Sequence, residues 1–267
     1  MKALYMAAIL TQLLSACSGN IIVETDTVVK TDTIVQTDTV SQMDTVPATF
    51  IDSITTQYSQ WLGDSEQLLV VFNNKASSVA SELHAYELHD SVWTEVDSLC
   101  FPAGIGKKGF APYGKKVEGD GKSPTGIYSI THYFSKFSDF EAKLEKIEIT
   151  KKTVWIDDVK DTLYNTYVEQ NAAHPRKGEK LYRSKDALYD YVMVINYNVE
   201  ERIPGKGSAI FLHVWSRPCG PTAGCVSLKK EDVLSLFEWI DADKHPKIVM
   251  GSLEDGMIFQ IEGTDFQ

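Results

Sequence analysis

The chain predicts a mainly β domain with a few short helices, and three observations carry that expectation. Short apolar runs rich in β-branched and aromatic residues recur at Leu68–Phe72, Ile127–Ile130, Val154–Ile156, Tyr191–Ile195 and Ala209–Leu212. Gly, Pro and Asn turns separate these runs, and each is strand-sized. Only one segment shows a clear helical period: in Lys230–Asp241, Val233, Leu234, Phe237 and Ile240 recur at three- and four-residue spacing, with Glu231 and Asp232 in the first turn. A shorter segment, Asp139–Ile147, is the second helix candidate.

The N-terminus reads as an export signal. Met1 and Lys2 precede an apolar run from Ala3 to Leu14, a charged start and a hydrophobic stretch too short to span a bilayer. It ends in Leu14-Ser15-Ala16-Cys17, which resembles a bacterial lipobox. Cleavage before Cys17 and acylation of its thiol would tie the chain to a membrane, each buried methylene contributing about 0.8 kcal/mol. A plain secretory signal is the alternative. Residues 1–16 are thus expected to be a lipoprotein signal peptide, and the location a membrane-anchored one in the cell envelope, facing the periplasm or the cell exterior.

Residues 25–46 repeat every six positions around Thr-Asp-Thr-Val. β-Branched Thr, Val and Ile disfavour helix, and the even period puts Asp26, Asp32, Asp38 and Asp44 on one edge of an extended chain. An extended tether is the simplest reading, and a self-associating β-stalk the competing one. From Ser18 to Phe50 it would reach on the order of 100 Å at about 3.3 Å per residue. Residues 17–55 are assigned to anchor and tether, and residues 56–267 to one folded domain, its globular composition clear from Gln67 and its length sufficient for a sizeable core.

The formal charge is -11, and loss of residues 1–16 removes only Lys2, so no basic stripe offers itself to nucleic acid. With Cys17 assigned to lipid, Cys100, Cys219 and Cys225 remain, an odd number that leaves at least one thiol unpaired. Cys225 is expected to be that thiol, while Cys100 and Cys219 either pair or stay reduced.

Several motifs fail on inspection. Gly104-Ile105-Gly106-Lys107-Lys108-Gly109 has the letters of a dinucleotide fingerprint, but Pro112, Gly114, Gly119 and Gly121 forbid the helix that must begin there. Gly121-Lys122-Ser123 lacks the upstream glycine of a phosphate loop, so no nucleotide is expected. The segment Gly104–Gly126 reads instead as a turn-dense loop leading into the strand at Ile127. His84, His89, His132, His174 and His245 read as surface histidines. His213, Cys219 and Cys225 offer zinc-type ligands without a zinc spacing or a clear fourth ligand, so no metal is expected.

One pair carries chemistry. His213 lies twelve residues before Cys225, which directly follows Gly224. A thiol attacks as the thiolate, and an imidazole that accepts its proton is the usual way to form one near neutral pH.

At these residues the chain resembles the L,D-transpeptidases with a YkuD-type catalytic domain, in particular the branch with a Pro-Thr-Ala-Gly-Cys-Val signature, here residues 221–226. Collinear segments extend the likeness over most of residues 67–262: Gly106–Ala111, Glu118–Gly126, Trp155–Asp158 and Pro204–His213. The resemblance implies an L,D-transpeptidase-like β-sandwich and a Cys225 thiolate that attacks the carbonyl of the third residue of a peptidoglycan stem peptide. D-Alanine leaves, and an amine of a neighbouring stem resolves the thioester into a 3-3 cross-link. His213 would move the proton, and main-chain N–H groups around Gly224 and Cys225 would hold the oxyanion. Ser216, Thr222 or a nearby carbonyl would orient the imidazole. Many members have a histidine before the Gly-Cys pair and an arginine two residues after the cysteine, where this chain has Ala223 and Ser227. That puts the grip on the stem peptide in question, with Ser216, Arg217, Thr222 and Ser227 the candidate contacts. No cofactor is implied. Water as acceptor would make the enzyme an L,D-carboxypeptidase or a hydrolase that releases wall proteins, and loss of chemistry would leave a wall-binding lipoprotein.

Overall fold

A computed structural model describes residues 48–171 and 173–254. The signal peptide, Cys17 and the repeat at 25–46 lie outside the described residues. Along the chain run α1 (Ala48–Gln57), α2 (Ser59–Leu62), β1 (Gln67–Asn73), β2 (Ala80–His89), β3 (Val92–Gly104), β4 (Gly126–Ser135), β5 (Glu145–Glu148) and β6 (Thr153–Trp155). There follow β7 (Tyr167–Glu169), β8 (Glu179–Lys180), β9 (Tyr191–Ile195), β10 (Phe211–Val214), β11 (Val226–Leu228), α3 (Lys230–Trp239), a 3-10 turn (Ala242–Lys244) and β12 (Lys247–Ser252). The fold is mainly β, as expected, and no described helix is long and apolar enough to cross a membrane.

Nine strands form one sheet in the order β12-β1-β2-β3-β11-β10-β9-β4-β5, and β12 also pairs with β4. Eight strands therefore close on themselves, which removes the exposed edges that would invite aggregation. Alternation along each strand sends Leu69, Val71, Leu83, Ala85, Met193, Ile195, Leu212, Val214, Val226 and Leu228 into the enclosed core, where α3 adds Val233, Leu236 and Phe237. Two smaller cores lie on the outer faces. Ile51 and Ile54 of α1 and Leu62 of α2 cover Leu68, Val70 and Phe72. Trp155 of the three-stranded sheet β7-β6-β8 packs with Phe134, Val192, Phe211 and Cys225.

α3 starts at Lys230 with its two first-turn acids, and chain direction changes at Ile240. β10 begins at Phe211 rather than at Ala209, because Ala209 adopts a left-handed backbone (φ 54°) that a strand cannot continue through. The segment 139–147 is not a helix. Phe140, Ala142 and Leu144 pack on the main core at a spacing of two, and Glu145–Glu148 forms β5, parallel to His132–Ser135 of β4. An available strand edge there outweighs a weak local preference. The β2–β3 hairpin turns on Asp90 and Ser91, both at positive φ, the two-residue geometry that matches strand twist. The glycine-rich loop 105–125 is pinned by bridges Gly106–Thr222 and Phe110–Ser123. That pinning lays it beside the segment that carries Cys225.

Candidate active site

β10 and β11 run parallel, with Leu212 opposite Val226 and His213 opposite Ser227. Since Leu212 and Val226 point into the main core, Phe211, His213, Cys225 and Ser227 leave the opposite face. Cys225, immediately before β11, and His213 are thus diagonal neighbours on one face of a sheet. Both side chains are buried.

Burial is the largest influence on each. It pushes the Cys225 thiol up to about 12, a rise opposed by the Phe211 main-chain N–H and by the charge of Lys116 and reinforced by Glu179. It pushes His213 down to about 4, against a hydrogen bond to the Val214 carbonyl and with the help of Arg183. The resting site therefore holds a neutral thiol and a neutral imidazole at pH 7. Nδ1 of His213 donates to Val214 O at 2.8 Å, which leaves Nε2 as the unprotonated nitrogen. The thiol donates to the Ala209 carbonyl at 3.3 Å.

The turn before Cys225 is held by two hydroxyls. The Thr222 hydroxyl accepts from the Gly224 N–H (3.1 Å) and donates to the Cys225 carbonyl (2.7 Å). Ser123, fully buried in the glycine-rich loop, donates to the Gly224 carbonyl (2.7 Å) and accepts from the Gly106 N–H (3.0 Å). A Cβ on Gly224 would lie 2.9 Å from the Lys122 carbonyl oxygen, so the close approach requires glycine. The Gly224 N–H, expected in the oxyanion contact, is engaged by Thr222 in this state.

The other candidates divide by exposure. Ser216 and Arg217 are exposed on the turn after β10. Ser227 is buried and donates to the Gly104 carbonyl at 3.4 Å. Cys219 is half-buried, and Cys100 and Cys219 both remain thiols, not a disulfide. Of the histidines expected at the surface, His89, His174 and His245 are exposed and His132 is half-buried. His84 is buried: alternation along β2 places it on the face opposite the main core, where it packs against Phe72.

Several neighbours of the pair had no signal in the sequence, since distant segments supply them. Tyr189 stands edge-on to the His213 ring at 5.3 Å and donates to Glu179, while Arg183 lies over the Tyr189 ring at 5.6 Å. Lys116 is buried and paired with Asp120 at 2.7 Å. Asn165, also buried, accepts from Trp155 Nε1 (2.9 Å) and the Ala209 N–H (3.1 Å) and donates to the carbonyls of Tyr197 (3.0 Å) and Asn198 (2.6 Å). It holds Ala209 in the conformation that aims its carbonyl at the thiol.

Neither the curated proteins nor the solved structures contain a match to the chain. Residues 81–254, more than half of the 267, match the YkuD family of L,D-transpeptidase catalytic domains. The match spans both Cys225 and His213, together with β2–β11 and α3 that surround them, and on it the chain belongs to the YkuD family of L,D-transpeptidase catalytic domains.

Proposed function

We propose that the chain catalyses cysteine-dependent acyl transfer on peptidoglycan stem peptides. The observation that carries this reading is the shared face of Cys225 and His213, with His213 Nε2 left as a proton acceptor. Cys225 Sγ attacks the residue-3 carbonyl as its proton passes to Nε2. The tetrahedral oxyanion collapses, the C–N bond breaks, and the terminal D-alanine leaves with that proton. An amine of a neighbouring stem attacks the thioester, gives its proton to His213 and releases the thiol, forming a 3-3 cross-link. Main-chain N–H donors near Gly224 and Cys225 stabilise the oxyanion, at about 3 kcal/mol per donor. The Gly224 donor becomes available once Thr222 releases it.

Direct contact with the stem peptide is assigned to the exposed Ser216 and Arg217. Thr222 and Ser227 direct their hydroxyls to main-chain carbonyls and shape the turn and the strand beneath it. The place of action is the cell envelope, with Cys17 as lipid anchor and the Thr-Asp-Thr-Val repeat as tether.

The test is intact-mass spectrometry of the full chain in detergent, wild type and Cys225→Ala, with a carbapenem and then with tetrapeptide muropeptides. A Cys225-dependent adduct together with muropeptide dimers is expected. Tripeptide monomers alone would make the enzyme a hydrolase, and neither adduct nor turnover would leave a wall-binding lipoprotein. Mass spectrometry of the N-terminal peptide from the membrane fraction tests the anchor, which requires an acylated Cys17.

A further inference from the structure

Lys116 sits in the glycine-rich loop and is almost fully withdrawn from solvent, at 4% exposure. Its stem runs between the two segments that hold the Cys225 thiol. On one side is Gly207, two residues before the Ala209 carbonyl that accepts the thiol proton, where a Cβ would lie 3.1 Å from Lys116 Cγ and 3.3 Å from Cε. On the other is Gly224, directly before the nucleophile, where a Cβ would lie 3.8 Å from Cε. The ammonium donates to Asp120 Oδ1 at 2.7 Å and to the Val117 carbonyl at 3.0 Å. Asp120 is itself fixed, accepting from the Lys122 N–H at 2.8 Å and the Val117 N–H at 2.9 Å.

We propose that Lys116 is a positioning residue for the nucleophile: its buried ammonium, held beside the Gly224 turn by Asp120, stabilises the negative charge that develops on Cys225 Sγ and on the tetrahedral oxyanion. The assignment rests on the acyl-transfer reading above and adds to it a source of positive charge. Three observations support it. The first is placement, since one side chain touches both the turn before Cys225 and the segment that leads to Ala209. The second is that stability does not account for a lysine here. A buried ion pair adds little net stability, and an apolar side chain of similar volume often serves as well.

The third is the set of charges around the thiol. Glu179 of β8 disfavours the thiolate, and among the described residues Lys116 is the cation whose charge favours it. Arg183 acts on His213 instead, and Tyr189 donates to Glu179. Beyond Asp120, the nearest acid along the loop is Glu118, which accepts from the hydroxyls of Tyr164 (2.5 Å) and Ser208 (2.7 Å). As the thiol proton passes to His213 Nε2, negative charge appears on sulfur and then on the substrate oxygen beside the Gly224 turn. A charge already fixed there needs no reorganisation at the moment of reaction.

The test follows iodoacetamide alkylation of Cys225 by peptide mapping from pH 7 to 10, using the full chain in detergent as wild type, Lys116→Met and Asp120→Asn. Loss of the cation makes the thiolate rarer, and loss of its counter-ion makes it commoner. Alkylation is therefore expected to slow about three- to tenfold in Lys116→Met and to quicken by a similar factor in Asp120→Asn, for a charge felt at an effective dielectric of about 20 and partly offset by its partner. A structural role would break the same ion pair in both variants and move both rates the same way. Carbapenem acylation is expected to fall about tenfold in rate at saturation in Lys116→Met, with the binding constant unchanged. Alkylation in Lys116→Met equal to wild type, or displacement of both variants in one direction, overturns the proposal. Asp120 has a side chain 19% exposed, and Asp120→Asn decides the matter if Lys116→Met does not fold: unaltered or slower alkylation there overturns it. No carbapenem adduct in the wild type overturns the acyl-transfer reading and this role with it, whereas an adduct with unshifted alkylation overturns the role alone.

Discussion

The Cys225 thiol and the His213 imidazole share one face of paired parallel strands, yet each donates its proton to a main-chain carbonyl, Ala209 for the thiol and Val214 for the ring. The resting pair is neutral, and attack requires the thiol proton to move from the Ala209 carbonyl towards Nε2 as substrate arrives.

Alkylation rates read that resting state. With the thiol pushed up to about 12 by burial, the rate of iodoacetamide reaction at Cys225, followed by peptide mapping, is expected to rise about tenfold per pH unit from pH 7 to 10. An ordinary thiol levels off near its pKa of about 8.5. A plateau already reached near pH 6 would show a thiolate–imidazolium pair and overturn the neutral assignment.

His213 also ties stability to pH. Its folded pKa is depressed to about 4 by burial, whereas the unfolded imidazole takes up a proton near 6.5. Between these values the unfolded chain binds the extra proton, so the contribution of His213 is complete above pH 6.5 and is lost as pH falls towards 4. The full loss is about 3 kcal/mol at 1.36 kcal/mol per unit. Denaturant unfolding of wild type and His213→Gln across this window isolates the group, since the carboxylates titrate in both. Parallel stability curves would contradict a neutral buried His213.

How far the sequence announced all this depends on the range of the interactions. The strands at Leu68, Tyr191 and Ile127 and the helix at Lys230 were legible because their periods are local. So was the Cys225 and His213 pair, which lies within one thirteen-residue stretch. The segment 139–147 misled because its spacing of two at Phe140, Ala142 and Leu144 competes with weak helical character, and pairing with β4 decides it. Asn165, Lys116 and Tyr189 gave no signal, since each reaches the site from a segment at least 36 positions from Cys225 in the chain. The surface reading of His84 failed for a similar reason: its burial depends on Phe72, one strand away.

Asn165 positions the carbonyl that holds the thiol, and the isosteric Asn165→Asp tests it. The carboxylate cannot donate to the carbonyls of Tyr197 and Asn198, both of which Asn165 reaches through Nδ2. Leaving these acceptors unsatisfied costs on the order of 1–3 kcal/mol, or about 2–4 °C in Tm per kcal/mol for a domain of this size. Carbapenem acylation of Cys225, measured well below the melting transition, is expected to slow and the pH dependence of alkylation to shift as the Ala209 carbonyl turns. A lower Tm with unaltered acylation would make Asn165 structural only.

Gly224→Ala separates geometry from stability at the nucleophile itself. The added methyl would sit 2.9 Å from the Lys122 carbonyl oxygen and 3.2 Å from Ile210 Cδ1, distances that force the turn outward by a few tenths of an ångström. Ile210 can yield by rotation, but the Lys122 carbonyl belongs to the loop that Ser123 ties to Gly224, so the displacement falls on the turn carrying Cys225. A misplacement approaching 1 Å costs about a hundredfold in rate, so acylation is expected to fall roughly ten- to a hundredfold while Tm drops by only a few degrees. Ala223→Ser, one residue earlier and exposed, is the control and is expected to leave both unchanged. Wild-type acylation in Gly224→Ala would show that the turn tolerates the methyl, and that the glycine is not what sets the approach of the thiol to its substrate.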